Sequence, residues 1–168
     1  NLLNSFEPAK FLDIGFGAGS ELITAAKHGW IAYGLDNDIK NIDLFNKRVN
    51  TSLKTKINIS KHDLEITPLN IDSNSITLIN FTNVLEHINN RKAILLEIER
   101  ILTNEGICLI SIPNKDTLWK RIQRFAGVDS RDDFDHKIEY SLEEIFNEIK
   151  ESNLRISSEM DSIVPSFP

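Results

Sequence analysis

An α/β fold with an open, mainly parallel sheet flanked by helices is the architecture this sequence predicts, and three observations carry it. Short apolar runs alternate with stretches of helical periodicity, the pattern that right-handed strand–helix–strand crossovers produce. One run, residues 76–81, is almost continuously apolar, as strands covered on both faces are. The segment Asp13-Ile14-Gly15-Phe16-Gly17-Ala18-Gly19 sets a glycine loop between an apolar run and a helical pattern. Backbone N–H groups approach a ligand closely in such a loop, because glycine has no Cβ to block them.

Residues 10–14 read as the first strand and 19–28 as the first helix, which Gly29 ends. The second strand, 31–35, stops at Asp36-Asn37-Asp38, and Asp38 is placed to cap a helix over 39–53. Residues 56–60 alternate apolar and polar as a third strand, and 76–81 form the fourth. Ala93, Ile94, Leu96, Ile98, Ile101 and Leu102 make a helical stripe. Gly106 starts a fifth strand over 107–112, which Pro113-Asn114 ends. Ser141 caps a helix over 140–153, with Glu144 at capping-box spacing. Residues 154–160 are the expected sixth strand. With no internal repeat and no low-complexity linker, 1–168 reads as a single domain, large enough to bury roughly two-thirds of its unfolded surface.

Composition narrows the partners. A net charge of −6 and a pI of about 5.2 argue against nucleic acid. The single cysteine, Cys108, cannot form an internal disulfide, which points to a reducing cytoplasm. No apolar stretch reaches the roughly 18–20 residues that span a bilayer, and no signal peptide opens the chain. The absence of an initiator Met and the ending at Pro165-Ser166-Phe167-Pro168 lead us to expect a chain truncated at its C-terminus.

Ligands of open α/β sheets bind beyond the carboxyl ends of the strands. Asp36 stands there about 20 residues past the glycine loop, where a carboxylate accepts ribose hydroxyls. Asp63, after the third strand, is placed to accept from an adenine amino group, and Asn80 and Phe81 end the fourth strand beside the loop. Each acidic residue has a plainer alternative as a turn or helix cap. Glu21 in the first helical turn is unfavourable for a pyrophosphate, and Ser20 occupies the third glycine position of the dinucleotide fingerprint. The loop therefore suits an adenosyl ligand without phosphates better than a dinucleotide.

The stretches FLDIGFGAG, YGLDND, HDLEITPL, ITLINFTNVLEHI and RILTNEGICLISIPN, in that order over about two-thirds of the chain, resemble the class I S-adenosylmethionine-dependent methyltransferases. The likeness is to the small-molecule group with a Leu-Glu-His signature after the fourth strand. It implies a Rossmann-like sheet and S-adenosyl-L-methionine as cofactor. It also implies that Asp13, Gly15, Gly17 and Gly19 hold the methionine portion, and that Asp36 with Asn37 beside it holds the ribose. Asp63 with the backbone of Leu64 would hold the adenine, and Asn80 with Phe81 would flank the sulfonium. The family's seventh strand has no counterpart after Met160. An unpaired fifth-strand edge would then be covered by residues after Leu154 or by a second copy of the chain, a possible homodimer.

Methyl transfer from a sulfonium needs alignment, exclusion of water and sometimes a base. His87, in the Leu-Glu-His block, is the leading base candidate, the alternative being a histidine packed beneath the site. His136 is a second candidate from a loop that could cover the pocket, or else a solvent-facing turn residue. His28 and His62 read as surface positions. No His, Cys or carboxylate cluster shows metal-ligand spacing, so no metal is expected. Residues 115–137 are the expected substrate-covering segment. Their helical stripe Leu118, Trp119, Ile122, Phe125, Ala126 would face an acceptor, a membrane surface or solvent. The expected function is methyl transfer to a small-molecule acceptor, most naturally an oxygen of a saccharide, lipid precursor or metabolite. The alternatives are a non-catalytic binding module of the same fold and an NAD-dependent oxidoreductase.

Overall fold

The computed structural model describes residues 2–66, 68–129 and 133–157. Strands β1 (Lys10–Ile14), β2 (Ile31–Asp36), β3 (Ile57–Lys61), β4 (Ile76–Thr82) and β5 (Leu102–Ser111) form one sheet in the order β3-β2-β1-β4-β5. Every pairing is parallel, so each connection must carry the chain back across the sheet. Helix α1 (Ser20–Lys27) links β1 to β2, and α2 (Ile39–Arg48) with the short α3 (Thr51–Lys54) links β2 to β3. Helix α4 (Arg91–Ile101) precedes β5, and α5 (Leu118–Phe125) and α6 (Leu142–Lys150) follow it. The expected Rossmann-like sheet is the observed one.

Side chains alternate across the pleat, and helices cover both faces. Leu12 and Ile14 of β1 enter a core with Ile94, Leu95, Ile98 and Ile101 of α4 and Ile145 of α6. Phe11 faces the other way, toward Leu22, Ala25, Ala26, Trp30 and Phe45. Strand β4 serves both cores, Ile79 and Phe81 in the first and Leu78 in the second, which explains its largely apolar sequence.

Three boundaries differ from expectation. The helix expected over 39–53 breaks at Val49, which turns extended (φ −71°, ψ 130°), and Asn50 recaps α3 through its side chain. Strand β5 starts earlier, because Leu102 pairs with Ile76 before the ladder slips and resumes at Leu78 and Ile107. Gly106 sits in that irregularity, and a Cβ there would lie 3.0 Å from the carbonyl oxygens of Ile76 and Thr103. The sixth strand is a correction: residues 154–157 form no strand, and 158–160 lie outside the described residues. Asn153 turns the chain at φ 63°, and Leu154 then docks against the first core without pairing its backbone. Among the described residues β5 is thus the outer strand, touched beyond its end only by the bridge between Asn114 and Tyr140. No described helix is long and apolar enough to cross a membrane.

Ile98 is fully buried between α4 and the sheet. Its replacement by alanine is expected to cost about 2–5 kcal/mol, read from the urea midpoint at constant slope; a loss under about 1 kcal/mol contradicts this packing.

Candidate active site

Strands β1 and β4 are neighbours whose outgoing connections leave toward opposite ends of the sheet, which opens a crevice at their carboxyl ends. The parallel register sets Asp13 opposite Asn80, and the Asn80 amide donates to Asp13 Oδ1 at 2.7 Å. Asp13 is only 2% exposed. Burial raises its carboxyl to about 6; the Asn80 hydrogen bond opposes the shift, while the charges of Glu21 and Asp36 add to it.

The loop after β1 runs through left-handed backbone at Gly15 (φ 71°), Gly17 (φ 51°) and Gly19 (φ 73°), conformations that glycine adopts without strain. Two of the three glycines also close the fold. A Cβ on Gly15 would fall 2.4 Å from the Val84 side chain, and one on Gly19 would fall 2.2 Å from the Phe45 ring. Gly17 has nothing within 4 Å of that position and marks the side open to a ligand. Asp36, 7% exposed, holds the loop from the end of β2. Its Oδ2 accepts from Gly17 N at 2.9 Å, its Oδ1 accepts from Asp38 N at 2.9 Å, and the Asn41 amide donates to both oxygens at 3.2 Å. Asn37, next to it, is exposed.

Asp63 is exposed after β3, and its Oδ1 accepts from Glu65 N at 3.0 Å, so it stabilises its own turn. Leu64 beside it packs against the first core. Phe81 is fully buried, so its contribution to a ligand site is as a wall beneath the strand end.

Beyond β4, Asn83 takes left-handed backbone (φ 54°), which asparagine tolerates better than other side-chain-bearing residues. The chain then turns Val84 onto Gly15 and enters a 3-10 turn, Leu85–His87. The backbone carbonyl of Glu86 accepts from Lys137 N at 2.8 Å, which ties the segment before α6 to this turn. His136 is thereby brought against His87, with ring centroids 4.8 Å apart and planes at 76°. The His136 side chain is 5% exposed, so it is no solvent-facing turn residue; its Nδ1 lies 3.5 Å from Glu139 Oε1. The same Glu139 oxygen is 3.0 Å from Lys120 Nζ, and Lys120 is the buried residue of α5. The apolar stripe of α5 faces outward instead, with Trp119 66% and Phe125 96% exposed. His28 is exposed, and the His62 ring lies at the Ile66 carbonyl.

Sequence reasoning did not find Asn41, Glu86, Lys120 or Glu139. Asn41 carries the ordinary helix-turn offset from Asp36 and offered only that signal. Glu86 and His136 lie on opposite sides of β5 in the chain, out of reach of any spacing rule.

A protein-family profile described as a methyltransferase domain matches residues 12–110. An uncharacterized protein of Methanocaldococcus jannaschii is 35% identical over 122 residues, 71% of this chain and 48% of that protein. The chain thus spans about half the length of the curated relative it matches. Among solved structures, a SAM-dependent methyltransferase from Aquifex aeolicus superposes with a TM-score of 0.67 at 18% identity, over 94% of this chain and 79% of that one. A phosphoethanolamine N-methyltransferase of Haemonchus contortus, solved with phosphomonomethylethanolamine and S-adenosylhomocysteine, gives 0.66 at 21% identity, over 86% of this chain and 33% of that one. These likenesses are of fold.

The buried Asp13 carboxylate makes a testable cost. In the unfolded chain it titrates near 3.9, so the folded chain holds the extra proton up to about pH 6. That contribution is full in acid and lost as the pH rises through 6. Asp13→Asn keeps an oxygen for Asn80 and should exceed wild type in stability at pH 7.5 by up to about 3 kcal/mol, the gain vanishing below about pH 4. Urea midpoints at both pH values check it, and a variant weaker than wild type at pH 7.5 contradicts it.

Proposed function

This chain belongs to the methyltransferase-domain family, and from that premise we propose that it transfers a methyl group from S-adenosylmethionine to an oxygen of a small-molecule acceptor such as a saccharide, a lipid precursor or another metabolite. The observation that carries this reading is the convergence of Asp13, Gly17 and Asp36 on the β1–β4 crevice, with open space at Gly17 alone among the loop glycines. A buried carboxylate and a cationic cofactor suit one another. Asp13 is costly while unpaired by positive charge, and the ammonium and sulfonium of S-adenosylmethionine would relieve that cost. Ribose hydroxyls would take lone pairs of Asp36 now shared with the Asn41 amide. Leu64 and Asp63 would border the adenine.

The chemistry asks for alignment. An acceptor oxygen attacks the methyl carbon in line with the sulfur, the S–CH3 bond breaks, S-adenosylhomocysteine leaves, and the acceptor's proton goes to a base or to water. In this reading the His87–His136 pair is the acceptor side and the segment after β5 is its cover, which the buried Lys120 and His136 side chains and the hydrogen bond from Lys137 N to the Glu86 carbonyl support. A cytoplasmic setting agrees with the single free Cys108. Against a nicotinamide dinucleotide stand Ser20 in the third glycine position and Glu21 in the first turn of α1.

Calorimetric titration separates the readings. S-adenosylhomocysteine is expected to bind and NAD to leave no heat, and Asp36→Ala should lose at least tenfold in affinity, because hydrogen bonds to a charged acceptor are worth about 1.5–3 kcal/mol. A folded Asp36→Ala chain with unchanged affinity removes Asp36 from the site. A wild-type chain that binds neither ligand leaves the non-catalytic module, and a screen of acceptor classes reading S-adenosylhomocysteine formation tests the acceptor.

A further inference from the structure

The turn after β4 and the segment before α6 bring together one carboxylate and two imidazoles. Glu86, His87 and His136 each offer a ligand atom, and these atoms all lie within 4.8 Å of one another. A divalent ion bound at about 2.0–2.2 Å from each ligand sets ligand–ligand separations of about 3.0–3.5 Å, so modest side-chain rotations close the set. The residues are protected as ligands usually are, with Glu86 1% exposed and the His136 side chain 5%.

The surroundings repeat the logic of a metal site. Glu139 Oε1 stands 3.5 Å from His136 Nδ1, so Nε2 is the nitrogen left for a metal, and Lys120 Nζ holds Glu139 at 3.0 Å. A carboxylate on the far nitrogen of an imidazole fixes its tautomer and ring orientation and raises its basicity toward a metal. Two imidazoles edge-on at 4.8 Å repel one another when both are protonated, and a shared cation replaces that repulsion with attraction. Two His and one carboxylate leave coordination positions open, the pattern of reactive rather than structural ions.

We propose that Glu86, His87 and His136 bind a divalent transition-metal ion, with Zn2+, Mn2+ and Co2+ as the class, and that this ion takes the hydroxyl of the methyl acceptor. The chemical half of the proposal rests on the methyl-transfer reading; the metal site itself does not. On the ion the acceptor hydroxyl gives up its proton to water. The resulting oxyanion attacks the sulfonium methyl, the S–CH3 bond electrons stay on sulfur, and S-adenosylhomocysteine departs. His87 then acts as a ligand, not as the free base. Val84 packs on Gly15 immediately before the turn, so the site begins at the glycine loop.

The test uses the wild-type chain stripped with a chelator and titrated separately with Zn2+, Mn2+ and Co2+. One equivalent of at least one ion is expected to bind at micromolar or lower concentration. Long-range 1H–15N spectra should show the ring nitrogens of His87 and His136 shifting with Zn2+ while those of His28 and His62 stay in place. His136→Asn and Glu86→Gln should each weaken binding by at least tenfold, Glu139→Gln by about tenfold or more through orientation alone, and His62→Ala by nothing. The imidazole spectra need no variant to fold. Absence of saturable binding, shifts confined to His28 or His62, or variants that bind as wild type would overturn the site. S-adenosylhomocysteine affinity measured on the same metal-free sample reports separately on the methyl-transfer reading: its loss with metal binding intact removes the proposed chemistry and leaves the site.

Discussion

The carboxylate of Asp36 is the constraint on which the crevice depends. It ends β2, receives the amide of Gly17 from the loop after β1, receives the amide of Asp38 at the cap of α2, and is braced by the Asn41 side chain. One group therefore sets the loop, the strand end and the following helix relative to one another. Its lone pairs are nearly all used within the protein, which makes it rigid before any ligand arrives, and preorganisation of this kind reduces what binding must spend on ordering. The parallel sheet supplies the other half: register alone places Asp13 against Asn80.

Stability and the proposed function pull in opposite directions at Asp13. A buried carboxyl raised to about 6 is a burden on the folded chain at neutral pH. A cation placed against it lifts the burden. The second core, packed around Phe45 and Trp30, holds the glycine loop through the Phe45 ring against Gly19. The segment around His136 is held differently, by the Lys120–Glu139 ion pair and the contact of Glu139 with the His136 ring. This explains how α5 stays attached while presenting Trp119 and Phe125 to its surroundings.

Much of the fold was legible because local signals agreed with the global structure. Strands β1, β2 and β4 announced themselves as apolar runs and β3 by its alternation, and Asp38 and Ser141 capped where their side chains predicted. Gly15, Gly17, Gly19 and Asp36 were legible for the same reason, since their offsets along the chain are set by one strand–loop–helix–strand unit. The failures share a cause. Leu154 and Ile156 alternate like a strand, yet Leu154 is apolar because it docks on a core, and pairing is a property of neighbours that no local pattern encodes. The break at Val49 and the early start of β5 likewise depend on what the chain meets across the sheet. The meeting of Glu86 and His87 with His136 needed the whole crossover through β5, and the inward turn of Lys120 needed Glu139 as partner.

The central claim is that the β1–β4 crevice, bordered by the Asp36–Gly17 hydrogen bond, is where the cofactor sits. Amide spectra of the 15N-labelled chain titrated with S-adenosylhomocysteine test it most directly. The account predicts that the Gly17 amide is protected from exchange in the free chain, and that the largest shifts fall in residues 13–19, 36–38, 63–64 and 80–84. Saturable shifts confined to other elements, or a Gly17 amide that exchanges as freely as in an unfolded chain, would contradict it.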